Sequence, residues 1–263
     1  MTRRALPLRI PAAILALAVS AACHVDFVPR AEAREEWKKS YPIEAGGSLT
    51  LENTNGKIVV RPHDGSTIEI VATRIAKAGS DEAAKKLLAD TRIEETVSGA
   101  SVRVSSRQSR VSFGGTQYQV NYDVRAPAGI ALDLSATNGT IDVGDWEGRV
   151  EMSATNGTLE GKGLKGEVQA STTNGRIDVR MAALADRGVS LETTNGRVSV
   201  ELPKDTRGRV LARVTNGRIS VEGLNVEPSS SNTRRRYEGV LNGGGGPTVS
   251  VETINGAITV RGS

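Results

Sequence analysis

A tripeptide that recurs at near-fixed spacing constrains this chain more than any other feature. Thr-Asn-Gly occurs with its asparagine at Asn55, Asn138, Asn156, Asn174, Asn195 and Asn216, and Ile-Asn-Gly closes the series at Asn255. From Asn138 to Asn216 the intervals are 18, 18, 21 and 21 residues. A period near twenty is that of a solenoid, in which each repeat is one coil stacked on the last.

The residues around each asparagine alternate. Six positions before it stand Leu49, Leu132, Val150, Val168, Val189, Val210 and Val249, and four before it Leu51, Leu134, Met152, Ala170, Leu191, Ala212 and Val251, with mostly polar residues between. After the glycine the alternation resumes at Ile58, Ile141, Leu159, Ile177, Val198, Ile219 and Ile258. A period of two predicts half-buried strands on both sides of the motif. Asn-Gly between two such runs can be the turn of an antiparallel hairpin. It can also be a corner in a parallel β-solenoid, with the glycine (Gly56, Gly139, Gly157, Gly175, Gly196, Gly217 or Gly256) supplying a left-handed bend. The continuous apolar face and the short connections of six to nine residues favour the corner. Stacked corners would set successive asparagines about 4.8 Å apart, within reach of an amide ladder. Trp146, Leu164 and Leu224, each eight residues after an asparagine, are expected to fill the third side of the coil. The expected fold class is therefore all-β, a parallel β-solenoid, with right-handed winding by the usual preference of parallel crossovers.

Four regions follow along the chain. Residues 1–22 read as a signal peptide: Arg3, Arg4 and Arg9 precede a short apolar stretch, Ile14 to Val19, too short to span a membrane. That stretch ends in Val-Ser-Ala-Ala-Cys, which resembles a lipoprotein cleavage box with Cys23 as the lipidated residue, although Ser20 stands where leucine is usual. Residues 23–40 are charged and read as a tether. Residues 41–129 hold the first repeat unit, then a segment in which the repeat disappears. There Ile68 to Ile75, Ile93 to Val97, Val102 to Val104 and Gln117 to Val124 read as strands, and DEAAKKLLAD reads as a helix capped by Ser80. This mixed sheet with one short helix is expected to cap the solenoid. Residues 130–262 are the array, interrupted by a loop at 227–247.

Composition narrows the functional classes. Removing residues 1–22 leaves 31 Lys and Arg against 30 Asp and Glu, so the exported chain offers no electrostatic case for nucleic acid. Cys23 is the only cysteine, so no internal disulfide can form. The two histidines, His24 in the tether and His63 in an Arg-Pro-His-Asp-Gly turn, cannot build a multi-histidine metal site, and no nucleophile motif accompanies His63. No cofactor is expected. One column remains: Asp142, Glu160 and Asp178 lie four residues after consecutive asparagines on the outward face. Stacked at about 5 Å they could hold a hard cation, act as acid and base on a glycan, or form a solvated charged face neutralised by Arg176, Arg197 and Arg218. Arg234, Arg235 and Arg236 form the densest basic cluster, in a Ser- and Gly-rich loop, and the Gly243–Gly246 run lacks the ending of a phosphate-binding loop.

The run YDVRAPAGIALDLSATNGTIDVGDWEG, the later TTNGRIDV and TNGRISV units and the closing ETINGAITVRG resemble the bacterial putative-adhesin family, and through it the head domains of auto-transporter adhesins. The resemblance covers about residues 37–262 and implies a β-solenoid at the cell envelope with no catalytic residues to carry over. The leading expectation is a non-enzymatic, exported envelope protein, lipid-anchored through Cys23 in the outer membrane, that presents a surface to a glycan or an envelope protein. Two alternatives stand beside it: a polysaccharide lyase or hydrolase on the same scaffold, and an accessory of envelope-stress signalling.

Overall fold

The computed structural model describes residues 31–108 and 116–263. The signal peptide, Cys23, His24 and the first part of the tether lie outside the described residues. Among the described residues, fourteen strands and one helix follow in chain order: β1 (Ala31–Pro42), β2 (Ser48–Pro62), β3 (Thr67–Ala78), α1 (Asp81–Asp90), β4 (Thr91–Ser98), β5 (Ser101–Gln108), β6 (Gln117–Ala126), β7 (Ala131–Gly144), β8 (Val150–Leu164), β9 (Val168–Met181), β10 (Val189–Leu202), β11 (Gly208–Glu222), β12 (Val226–Pro228), β13 (Arg236–Leu241) and β14 (Thr248–Gly262).

Each long strand runs straight through its Asn-Gly, so it has a first leg before the corner and a second leg after it. β2, β7, β8, β9 and β10 pair in parallel and in register, asparagine opposite asparagine. Parallel neighbours rule out the hairpin alternative, in which the runs flanking one Asn-Gly would pair with each other. The alternating apolar residues face inward and are buried; Ile141, Leu159, Ile177, Val198 and Ile258 are all 0% exposed. Trp146 and Leu164 close the third side, fully buried, and the Trp146 indole N–H donates to Ile130 O at 2.9 Å.

The rungs do not stack in chain order. β14 lies between β10 and β11, pairing in parallel with both, so Asn255 sits opposite Asn195 on one side and Asn216 on the other. Residues 227–247 are not a plain loop. They carry β12 and β13, and β13 runs antiparallel along the first leg of β11. The basic cluster is part of this layer: Arg235 O accepts from Val214 N, and Arg236 pairs with Glu238.

The other end splits. The first leg of β2 pairs with β5, which pairs with β4; the second leg pairs with β6, followed by β3 and β1. The helix spans the expected decapeptide, and Ser80 Oγ accepts from Ala83 N at 3.3 Å. Its Leu87 and Leu88 are buried with Ala76 of β3. Residues 31–40, expected as tether, belong instead to β1. Only Ala31, Ala33, Trp37 and Tyr41 turn toward the protein, and charges occupy most other positions, as edge strands require. A charge-dense edge strand and a solvated tether have the same composition, which is why the sequence misleads there.

The corners join in one amide ladder. Asn216 Nδ2 donates to Asn255, Asn255 to Asn195, Asn195 to Asn174, Asn174 to Asn156, Asn156 to Asn138 and Asn138 to Asn55, each to the Oδ1 at 2.8–3.0 Å. All six bonds point the same way, an arrangement in which each bond polarises the next. The left-handed backbone expected of the corner glycines is present at Gly56, with φ of 122°, and at Gly139, Gly196, Gly217 and Gly256, with φ of 153–159°, but Gly157 and Gly175 have no positive φ. At every corner there is a second reason. Glycine is required by space. A Cβ on Gly175 would stand 1.7 Å from Gly157 O, and one on Gly196 1.6 Å from Gly175 O.

Candidate functional site

The stack does align the three carboxylates of the acidic column: Asp142 is opposite Glu160, and Glu160 is opposite Asp178. They are not a free cluster. Arg176 bridges two of them, to Glu160 at 3.1 Å and to Asp178 at 2.6 Å, and Lys162 reaches Glu160 at 3.3 Å. Asp142 departs from the outward, solvated position expected of it. It is only 8% exposed, and Arg61 of β2 covers it with a 2.9 Å bond to Oδ2 and a 3.1 Å bond to its backbone carbonyl, with Lys57 at 3.8 Å. Arg197 and Arg218, expected to share the neutralising role, make no ion pair among the described residues. No group of three or more His, Cys, Asp or Glu is placed to hold a metal among the described residues.

A difference between the carboxylates follows. Asp142→Asn leaves the half-buried Arg61 without its counter-charge and should cost about 1 kcal/mol, whereas the more exposed Asp178→Asn should stay within about 0.5 kcal/mol. Chemical denaturation measures both. Calcium should leave melting of the parent unchanged; a rise that needs all three carboxylates would contradict this account.

His63 Nε2 lies 2.8 Å from Thr67 O across the β2–β3 turn, a bond that ties the turn and leaves no triad.

Sequence reasoning missed a concave feature at the first corner. Where β2 hands its first leg to β5 and its second to β6, the two sheets part at the corner. They leave a groove of about 1110 Å³. The corners of β2 and β7 form one wall through Thr54–Lys57 and Asn138–Thr140; β3, α1, β5 and β6 supply Ile75, Lys77, Leu87, Arg107, Tyr118 and the amides of Gln117, Gln119 and Asn121. Asn121 Oδ1 accepts from Lys57 N at 3.0 Å and fixes that rim. Among the described residues, three cations line the groove and no carboxylate does. The cations' acidic partners sit outside the lining: Asp142 for Lys57, Glu32 for Lys77 at 3.2 Å, and Glu94 for Arg107 at 3.5 Å.

The amide ladder ends at this groove. Asn55 accepts from Asn138, and its own Nδ2 donates to no described residue. A half-buried amide donor, polarised by six aligned bonds and flanked by cations, suits an acceptor oxygen bearing partial or full negative charge. The only sequence signal for this was indirect: the repeat breaks off after Asn55 and resumes at Asn138, so something other than another coil must cover the first corner.

A putative cell adhesion protein from Clostridium sporogenes aligns over 87% of this chain and 100% of its own, with 15% identity and a TM-score of 0.39. A putative adhesin from Bacteroides fragilis aligns over 89% of this chain and 99% of its own, with 10% identity and a TM-score of 0.34. A putative lipid binding protein from Parabacteroides distasonis aligns over 87% and 96%, with 11% identity and a TM-score of 0.28. No protein of curated function matches. The Toastrack DUF4097 family model, by contrast, matches residues 38–261, from within β1 to the penultimate residue of β14, and the chain belongs to that family.

Proposed function

We propose that the protein is a non-enzymatic, exported component of the cell envelope that binds an acidic, acceptor-rich glycan in the groove at Asn55. The observation that carries this reading is the groove's lining: Lys57, Lys77, Arg107 and a row of side-chain amides, with no carboxylate among the described residues that line it. Hydrolysis of a glycosidic bond ordinarily uses a pair of carboxyl groups flanking it. The carboxylates that do stack are ion-paired on another part of the coil. Amides and cations instead match hydroxyl, carbonyl and carboxylate oxygens, and Tyr118, Ile75 and Leu87 give a sugar ring apolar surface to rest on.

Titration calorimetry with uronic-acid-containing and neutral oligosaccharides tests this. The acidic sugars should bind, and Lys57→Glu with Lys77→Glu should weaken binding at least about tenfold, by reversing two charges at the site. Binding that is equal for neutral sugars, or unchanged in the double variant, contradicts the reading.

Anchoring belongs to the same proposal. With lipid on Cys23 and His24 following it, in place of the aspartate linked to inner-membrane retention, a Gram-negative host would hold the chain at the outer membrane. Growth with a labelled fatty acid should label the parent and not Cys23→Ser; an unlabelled parent removes the anchor.

A further inference from the structure

The two ends of the second-leg sheet are finished differently. At one end the outermost strand is β1, laced with Glu32, Arg34, Glu35, Glu36, Lys38 and Lys39, a composition that resists further strand pairing. At the other end β13 covers only Gly208–Arg213 of β11, and the last bond to that layer is Val214 N to Arg235 O at 2.9 Å. Past the corner, residues 218–222 have no partner on the side away from β14 among the described residues. Ile219 and Val221 are only half-buried there, whereas their counterparts in every inner rung are closed off. A solenoid end with apolar inward residues ordinarily needs a cap.

We infer that this edge pairs with the same edge of a second copy, antiparallel about a two-fold axis at Ser220. The backbone polarity fits. Val214 faces inward and aims its N–H away from β14. Chain direction, inward face and L-chirality together fix that side, so Ile219 and Val221, which also face inward, aim their N–H and C=O groups to the same open side. Centring on Ser220 sets Ile219 opposite Val221 of the second copy as a mutually hydrogen-bonded pair, twice over. It also sets Arg218 opposite Glu222 of the second copy, twice. Both side chains are exposed, and neither is ion-paired among the described residues; Glu222 accepts only from Ser220 Oγ. Centring on Arg218 or on Glu222 would set like charges face to face, which selects against those registers. The surface is isologous, the self-complementary kind that closes as a dimer.

Sedimentation velocity over a concentration series, on the protein purified from its exported fraction, tests this. The parent should sediment as a dimer at high concentration. Arg218→Glu and Glu222→Arg should each weaken dimerisation about tenfold or more, since each turns two attractions into two repulsions. The double variant should recover it. Both sites are exposed, so melting should not change in the single variants. A parent that is monomeric at every concentration, or single variants that pair as tightly as the parent, overturns the interface. A double variant as weak as the singles overturns the register.

Discussion

Replacing Gly175 or Gly196 with alanine should destabilise the protein by about 3 kcal/mol or more, and Gly129→Ala should change stability by less than about 0.5 kcal/mol. The contrast comes from what a methyl group meets. At Gly175 and Gly196 it meets the backbone carbonyl of the next corner glycine at 1.7 and 1.6 Å; at Gly129 it meets nothing within 4 Å. A carbonyl in a parallel ladder cannot swing aside as a side chain can, so the rungs must separate. Separation also stretches the Asn195–Asn174 and Asn174–Asn156 bonds, now 2.9 and 3.0 Å. Denaturant titration of the three variants beside the parent gives the result. Equal stability throughout would mean that the corner glycines do not stack as described.

Deleting residues 248–263 should have a larger effect. β14 is the last strand made and an inner rung, in register with β10 on one side and β11 on the other. Val249, Val251, Ile258 and Val260 of this strand are all buried, and each contributes about 1.5–3 kcal/mol by leaving water. Without it β10 and β11 have no shared neighbour. Hydrogen exchange should show β11 and β13 unprotected while β7, β8 and β9 stay protected. If β11 closed directly onto β10 with full protection, the inserted order would not be needed for stability.

What could be read in the sequence is what repeats locally. The strands follow from alternation, the ladder from the column of asparagines, and the helix from Ser80 and its acidic first turn. What could not be read depends on distant partners. Every rung carries the same motif, so any rung could stack on any other, and nothing within TNGRIS or INGAIT says that Asn255 lies between Asn195 and Asn216. The connection through residues 223–247 decides it, by climbing past β11 to form β12 and β13 before returning. Asp142 looks solvated until Arg61, 81 residues earlier, folds over it. The groove exists because the two legs of β2 acquire different neighbours, a property of topology that no short motif carries. The need for glycine was visible, but only part of its cause: Gly157 and Gly175 lack the positive φ of the other corners, and close approach between rungs excludes a side chain at all of them.

The order of the rungs is the central claim, and disulfide trapping tests it most directly. Ser199 and Ser220 both lie in register with Thr259, one on each side. In a Cys23→Ser background, Ser199→Cys with Thr259→Cys places the two Cα atoms on adjacent strands about 4.8 Å apart, within the separation a disulfide spans. Ser199→Cys with Ser220→Cys places them two strands apart, at about twice that spacing and out of reach. The account predicts that mild oxidation closes the first pair within one chain and forms no bridge between positions 199 and 220 in the second. A bridge between positions 199 and 220, with none between 199 and 259, would mean that the coils stack in chain order and would contradict it.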